Sequence, residues 1–179
     1  MLARICRHAA AIACVGAGAV AALQGPAAAQ PAPKSFIAKY KAWEVHKAKA
    51  AGAAVCYAAA IPKQSRGKYK RRGETSLLVS FWPKHKVRGQ VEVRAGYRYK
   101  AGIAATLKFN NGATFKLRTS ADSAWGEEAA EDRKIVRNLS DRARLTVTGR
   151  SSRGTLTVDT YSLAGFRAAF ARAKSACGM

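Results

Sequence analysis

The C-terminal stretch of the chain constrains the fold most strongly, because it places a cysteine after a strand and a helix. The sequence predicts a strand, then an amphipathic helix capped by Ser162, and Cys177 follows in the last turn. Cys56 lies far upstream and is the one candidate partner for Cys177, because the other two cysteines fall within the first 29 residues, which are predicted below to be removed. A Cys56–Cys177 disulfide would tie the C-terminus back to the start of the folded domain. The alternative is a metal site that adds His46 or His85, but neither histidine has ligand-like spacing to a cysteine.

The N-terminal residues 1–29 are predicted to be a secretory signal peptide. Two arginines precede an uncharged apolar run over 9–23, and three alanines at 27–29 provide a small-residue cleavage site. The apolar run of about fifteen residues is shorter than the roughly 20 residues that span a bilayer. We therefore expect an exported protein that is periplasmic, or that reaches the outer-membrane surface or the medium. A flexible leader over 30–35 and a single domain over 36–179 would follow.

The charge of the chain predicts an anionic partner. The sequence contains 32 Lys+Arg and 10 Asp+Glu, which gives a formal net charge of +22. Such an excess favours an acidic polymer, or lipid headgroups contacted peripherally at a membrane surface. A protein of the envelope or of a host surface is the other partner considered. Because the chain is predicted to be exported, nucleic acid is not expected to be its specific partner.

Two basic segments are the candidates for anion binding, and we expect them to form one basic face. The first spans 63–72 and the second spans 84–88. Their cations are Lys63, Arg66, Lys68, Lys70, Arg71 and Arg72 in the first segment and Lys84, Lys86 and Arg88 in the second. The alternative for the first segment is a solvated hairpin connection that only keeps the protein soluble.

Alternation of apolar and polar residues predicts a mainly β sandwich with seven or so short strands and two helices. The predicted strands fall within 36–45, 54–61, 74–82, 90–97, 104–109, 113–117, 144–148 and 155–161. The Asn-Gly pair at Asn111-Gly112 predicts a tight turn between two of them. In the last hairpin, Leu145 and Val147 are expected to share the inward face with Leu156 and Val158.

Two segments have the periodicity of amphipathic helices. The first, over 121–139, would be capped by Asp122 or Ser123, and its acids precede its bases as the helix dipole favours. The second follows Ser162 and presents one apolar stripe. The stripe consists of Leu163, Phe166, Phe170, Ala173 and Cys177.

No catalytic or cofactor-binding motif is present in the sequence, so we expect neither an enzyme nor a cofactor or metal. Asp159 is the one acid in a well-patterned core strand. It is expected to be a structural carboxylate that faces solvent or hydrogen-bonds a neighbouring turn. The enzymatic alternative is an envelope-modifying hydrolase that uses Asp159 or the acids within 122–132.

Several short motifs extend over nearly the whole predicted domain, and some of their residues are expected to be structural. These residues are Trp43, Trp82, Trp125, Arg153, Gly154, Asp159, Tyr161, Gly165 and Phe166. Taken together, the motifs resemble the invasion-associated locus B family. The resemblance implies an immunoglobulin-like β-sandwich, exported by alphaproteobacteria to the periplasm or cell surface. It also implies a link to host-cell invasion in pathogenic members, and it supplies no catalytic residues.

The leading hypothesis is an exported, non-enzymatic envelope or surface protein that binds an anionic partner through its basic face. The hydrolase above is one alternative. The other is a purely structural periplasmic subunit whose charge only serves solubility.

Overall fold

The computed structural model describes residues 34–179, which form eleven strands, two α-helices and a short 3-10 helix at Pro83–His85. The predicted signal peptide lies outside the described residues, as do positions 30–33 of the predicted leader. The strands are β1 (Ser35–Tyr40), β2 (Trp43–Ala50), β3 (Ala53–Ala60), β4 (Gln64–Gly67), β5 (Ser76–Trp82), β6 (Val87–Arg94), β7 (Ala105–Phe109), β8 (Thr114–Ser120), β9 (Ser123–Trp125), β10 (Arg144–Arg150) and β11 (Leu156–Ser162). The helices are α1 (Ala129–Asp141) and α2 (Phe166–Ala176).

All strand pairs are antiparallel, in the order β1-β2-β3-β5-β6-β9-β8-β7-β10-β11-β4. The short strand β9 pairs with β6 on one side and β8 on the other, so it joins two halves of the sheet. We call β1, β2, β3, β5 and β6 the first layer, and β4, β7, β8, β10 and β11 the second layer. The two layers share one buried core, to which Leu77 and Val79 contribute from the first and Leu107 and Leu145 from the second. The mainly β sandwich is thus confirmed, with eleven strands rather than seven or so.

Both helices pack against the first layer. Helix α1 contacts β6, and α2 lies across β1, β2, β3 and β5. The predicted stripe on α2 is confirmed, since Phe166 and Ala173 are buried, and the ring of Phe166 packs edge-on against Trp43 with centroids 4.8 Å apart. Cys56 in β3 and Cys177 after α2 form the predicted disulfide, and their Cα atoms are 5.8 Å apart. The bridge therefore fixes the last helix to the first layer.

Several element boundaries differ from the predictions. The strand predicted over 36–45 is interrupted by a turn at Lys41, which has φ 54°, and β2 continues to Ala50. The helix predicted over 121–139 begins only at Ala129, because the preceding residues form β9 between β6 and β8. Neither Asp122 nor Ser123 can therefore cap it.

Ser162 does not cap α2 either. It ends β11, and the N-cap position is taken by Gly165, which has φ +92°. A Cβ atom at Gly165 would collide with the carbonyl oxygen of Tyr40, so a glycine is needed where α2 starts close to β1.

The inward face of β11 was predicted incorrectly. In the β10–β11 hairpin, Leu145 lies opposite Tyr161 and Val147 lies opposite Asp159. Leu156 is 48% exposed, and the inward side chains are those of Thr157, Asp159 and Tyr161. In a strand, a shift of one residue exchanges the two faces, and here the polar set lies inward because Asp159 has a buried partner.

Candidate anion-binding surface

The partner of Asp159 is Arg72, from the first basic segment. The guanidinium nitrogens Nη1 and Nη2 of Arg72 donate to Oδ1 and Oδ2 of Asp159 at 2.7 and 2.6 Å. The Arg72 and Asp159 side chains are 6% and 3% exposed, and Nε of Arg72 donates to the carbonyl oxygen of Ala95 at 2.7 Å. The pair is therefore a buried, bidentate link between the loop before β5 and strand β11.

Two tyrosines enclose the guanidinium of Arg72. Its Cζ atom lies 5.5 Å from the ring centroid of Tyr69 and 5.0 Å from that of Tyr97. Burial by itself would lower the pKa of Arg72, but the hydrogen bonds and negative charge of Asp159 outweigh it, and the pKa is raised. Arg72 is thus a permanently charged structural residue, and its assignment to the anion-binding set was wrong.

The same geometry corrects the expectation for Asp159. The carboxylate faces the interior rather than solvent, and its partner is Arg72 of the loop before β5 rather than a turn adjacent to β11. Both of its oxygens accept from Arg72, so it is committed to the fold and does not offer the free carboxylate that the hydrolase hypothesis requires.

The rest of the first basic segment lies on the surface. Its cations Lys63, Arg66, Lys68, Lys70 and Arg71 are all exposed. The segment is not a simple hairpin connection, because Gln64–Gly67 crosses to the second layer and pairs with β11 as the edge strand β4. Lys68, Lys70 and Arg71 then lie in the loop that leads from β4 back to β5.

The second basic segment lies elsewhere. Lys84, Lys86 and Arg88 are exposed, but they follow the C-terminal end of β5, whereas the first segment precedes its N-terminal end. Seven residues of strand separate the two, which corresponds to roughly 20 Å. The prediction of one basic face was therefore wrong, because the two segments lie beyond opposite ends of β5.

Besides Arg66, which the sequence analysis named, the second layer contributes cations that the sequence analysis did not single out. Its outward surface, which we call the threonine face, alternates threonines with lysines and arginines. It comprises Arg66 of β4, Thr106 and Lys108 of β7, Thr114, Lys116 and Arg118 of β8, Arg144, Thr146, Thr148 and Arg150 of β10, and Val158 and Thr160 of β11. The alternation was visible in β10, where Arg144, Thr146, Thr148 and Arg150 alternate with buried residues, but the sequence could not show which strands lie beside it.

Two cavities border the threonine face. The wide cavity, of about 570 Å³, lies between β4 and the β10–β11 turn and is lined by Gly67, Lys68, Arg150, Gly154, Thr155 and Leu156. The narrow cavity, of about 210 Å³, lies beside β8 and is lined by Gly102, Ile103, Ala104, Lys116, Leu117, Arg118, Thr119 and Glu127. Each cavity therefore includes two cations, and the narrow one also includes one acid.

The acids within 122–132 do not converge with Asp159. Glu127 and Glu128 are exposed before α1, whereas Asp132 is buried and its Oδ1 accepts from the backbone N–H of Val91 at 3.2 Å. Burial raises the pKa of Asp132 to about 6, and the nearby Glu131 adds to the shift, whereas the Val91 hydrogen bond opposes it. Asp132 thus attaches α1 to β6.

The remaining motif residues have the following places. Trp43 is fully buried and its Nε1–H donates to the carbonyl oxygen of Ser162 at 3.2 Å, while Tyr161 is fully buried in the shared core. Trp82 and Trp125 are half-buried at the ends of β5 and β9. Arg153 and Gly154 lie in the β10–β11 turn, where Arg153 is exposed and Gly154 lines the wide cavity.

Within residues 34–179, no group of three or more His, Cys, Asp or Glu side chains is arranged to hold a metal ion. Neither of the described helices has the length and apolar character needed to cross a bilayer.

Taken together, the fold and surface define a disulfide-tethered, mainly β domain with a basic, threonine-rich outer face. The chain belongs to the family described as invasion associated locus B (IalB) protein, whose model matches residues 43–174. The matched region contains Arg72, Asp159 and every strand except β1, and the resemblance seen in the sequence is confirmed. Neither the curated proteins nor the solved structures provide a match.

Proposed function

We propose that this protein is exported and binds an anionic partner at the bacterial envelope or on a host surface, without catalysing a reaction. The observation that carries the proposal is the distribution of charge on the second layer. Its five strands contain six cations, which are Arg66, Lys108, Lys116, Arg118, Arg144 and Arg150. The single acid in these strands, Asp159, faces inward and is neutralised by Arg72.

Such a surface attracts anions more strongly than the net charge alone implies. Cations of one sign on a shared face reinforce one another's potential, and no carboxylate in these strands points outward to offset them. The exposed cations Lys63, Lys68, Lys70 and Arg71 extend the basic area past the edge strand β4. Binding by exposed charges of this kind weakens as the salt concentration rises.

Export is supported by the predicted signal peptide over 1–29 and by the disulfide. Cys56 and Cys177 form a bridge of a type that persists in oxidising compartments such as the periplasm. The description of the family associates its members with invasion, which agrees with a location where host surfaces are reached. The non-enzymatic part of the proposal rests on Asp159, whose two oxygens are held by Arg72.

The experiment is salt-gradient elution from immobilised heparin and from immobilised lipopolysaccharide, with two variants of equal charge. The test variant carries Lys68→Gln, Lys70→Gln and Arg71→Gln. The control carries Lys84→Gln, Lys86→Gln and Arg88→Gln at the far end of β5. All six side chains are exposed, so neither variant should alter the fold.

The proposal predicts that the wild-type protein and the control elute at similar salt concentrations and that the test variant elutes earlier. Equal shifts for the two variants would show that only the net charge matters. Absence of retention on both matrices would contradict the proposal as a whole.

A further inference from the structure

We infer that the anionic partner is an extended acidic polysaccharide, which lies across the strands of the second layer between the wide and the narrow cavity. This inference rests on the proposed function and specifies its ligand. It follows from how the strands align outward-facing residues.

One row of directly opposed residues crosses the whole layer. Lys116 of β8 lies opposite Thr106, which lies opposite Thr148 of β10. Thr148 lies opposite Val158, which lies opposite Arg66 of the edge strand β4. Four strand-to-strand steps give a row of about 19 Å that begins and ends with a cation.

The cations are distributed over four of the five strands. Lys116 and Arg118 belong to β8, Lys108 belongs to β7, Arg144 and Arg150 belong to β10, and Arg66 belongs to β4, so that the positive charges extend over four strand steps, or about 19 Å. A single phosphate or carboxylate could contact only the cations of one or two neighbouring strands. A linear polymer with regularly repeated anionic groups can contact the cations of all four strands.

The narrow cavity includes Lys116, at one end of this row, and the wide cavity adjoins the other end, because Gly67 and Lys68 directly follow Arg66. The wide cavity contains Lys68 and Arg150 beside β4, and the narrow cavity contains Lys116 and Arg118 beside β8. A ligand that reached from one cavity to the other would have to cross the threonine face. The cations that line the two cavities are therefore the most informative residues to mutate.

Hydroxyl groups occupy most of the positions between the cations, and Val158 is the exception in the row described above. Thr106, Thr146, Thr148 and Thr160 are half-buried in the sheet surface, and Nζ of Lys116 donates to Oγ1 of Thr106 at 3.0 Å. Threonine hydroxyls both donate and accept hydrogen bonds, which suits the hydroxyl groups of sugars.

Other polyanions fit less well. In the described chain, the outward residues of these five strands include no aromatic side chain on which nucleic-acid bases could stack. The large exposed apolar side chains near the face are Leu156 and Ile103 at its two cavities, and Ile61 and Tyr69 on either side of β4. The exposed cations Lys63, Lys68 and Lys70 lie beside Ile61 and Tyr69 in the sequence, so this area offers mainly charge rather than apolar surface to a membrane.

The test measures the affinity of the protein for heparin fragments of increasing length, from disaccharides to chains long enough to cross the layer. One variant carries Lys116→Gln and Arg118→Gln at the narrow cavity. The matched control carries Lys47→Gln and Lys49→Gln, two exposed cations of β2 in the first layer. Circular dichroism confirms that both variants are folded.

We expect wild-type affinity to rise with fragment length. The narrow-cavity variant should lose about fivefold or more in affinity for long chains. The slope of its log affinity against log salt concentration should become shallower by about two, one for each cation removed. Its affinity for disaccharides should be unchanged. The control should bind every fragment as the wild type does.

Three results would overturn the inference. Affinity that does not depend on length would indicate a compact anion and would leave the proposed function intact. Equal losses in the variant and the control would indicate a response to net charge alone. Binding to anionic lipid vesicles that is reduced by the same two substitutions, with no binding to long heparin, would assign the face to a membrane. Absence of binding to any anion would contradict the proposed function itself.

Discussion

Arg72 and Asp159 are 87 residues apart in the sequence and form a buried, bidentate ion pair between the two layers of the sandwich. Arg72 also donates to the carbonyl oxygen of Ala95 at the end of β6. The pair therefore fixes the loop before β5 against strand β11. That loop contains the exposed Lys68, Lys70 and Arg71, so the buried arginine helps to position the exposed cations.

Replacing Asp159 by asparagine should destabilise the fold strongly. The change leaves the Arg72 guanidinium buried without its counter-charge, and breaking a buried pair from one side costs about 3–5 kcal/mol. Urea denaturation followed by tryptophan fluorescence measures the free energy of unfolding. The matched control is Glu74→Gln at an exposed acid, for which a change within about 0.5 kcal/mol is expected. If Asp159→Asn lowered the free energy of unfolding no more than Glu74→Gln does, the structural role assigned to the pair would be wrong.

Reduction of the Cys56–Cys177 disulfide should lower the free energy of unfolding by roughly 4–5 kcal/mol, because the bridge restricts a long loop in the unfolded chain. The sequence separation of the two cysteines is 121 residues. Thermal denaturation with and without reductant tests this, and a Cys56→Ser, Cys177→Ser double variant should show no response to reductant. Alkylation of both cysteines in the native, unreduced protein would show that the bridge is absent.

Asp132 should make stability depend on pH. Its pKa is raised to about 6 in the folded protein, so the folded state holds the proton more tightly than the unfolded state. The free energy of unfolding should therefore increase as the pH falls from about 6 toward the ordinary pKa of an aspartate.

The variant Asp132→Asn removes this titration and keeps an oxygen that can accept from the N–H of Val91. Above pH 6 it should be more stable than the wild type by about 1 kcal/mol, a value reduced for partial solvent screening. The difference should vanish near pH 4. A difference that is constant with pH would exclude Asp132 as the titrating group.

Gly165→Ala should disturb the start of α2. A Cβ atom would collide with the Tyr40 carbonyl oxygen, and the residue has φ +92°. The control is Gly178→Ala, where φ is +63° and the added methyl group meets open space. We expect Gly178→Ala to cost about 1 kcal/mol and Gly165→Ala clearly more, as measured by thermal denaturation. Equal losses of stability for the two variants would show that the structure relieves the collision at Gly165 without further destabilisation.

Local sequence patterns predicted a large part of the fold. The Asn111-Gly112 turn does join two strands, β7 and β8, and the α2 stripe and the disulfide are present. These features depend on turn chemistry, on a period of three to four residues and on the number of available cysteines. The turn and the helix stripe can be recognised in a short segment of sequence, and the disulfide follows from the number of cysteines.

The parts that the sequence did not predict depend on which strands are neighbours. Arg72 looked like one more surface cation because its partner, Asp159, lies on a strand far along the chain. The two basic segments looked like one face because they are close in sequence, although β5 separates them in space. Arg118 and Arg150 come together with Arg66 only because the strand order brings β8, β10 and β4 into one layer.

The central claim is that acidic polymers bind to the threonine face, and nuclear magnetic resonance can test it directly. Titration of ¹⁵N-labelled protein with a long heparin fragment should shift the backbone amide signals of β4, β8 and β10 and of the residues that line the two cavities. The shifts should saturate and should reverse at high salt. Shifts concentrated instead around Lys84 to Arg88 or on α2, or shifts that spread over the whole surface without saturation, would contradict the account.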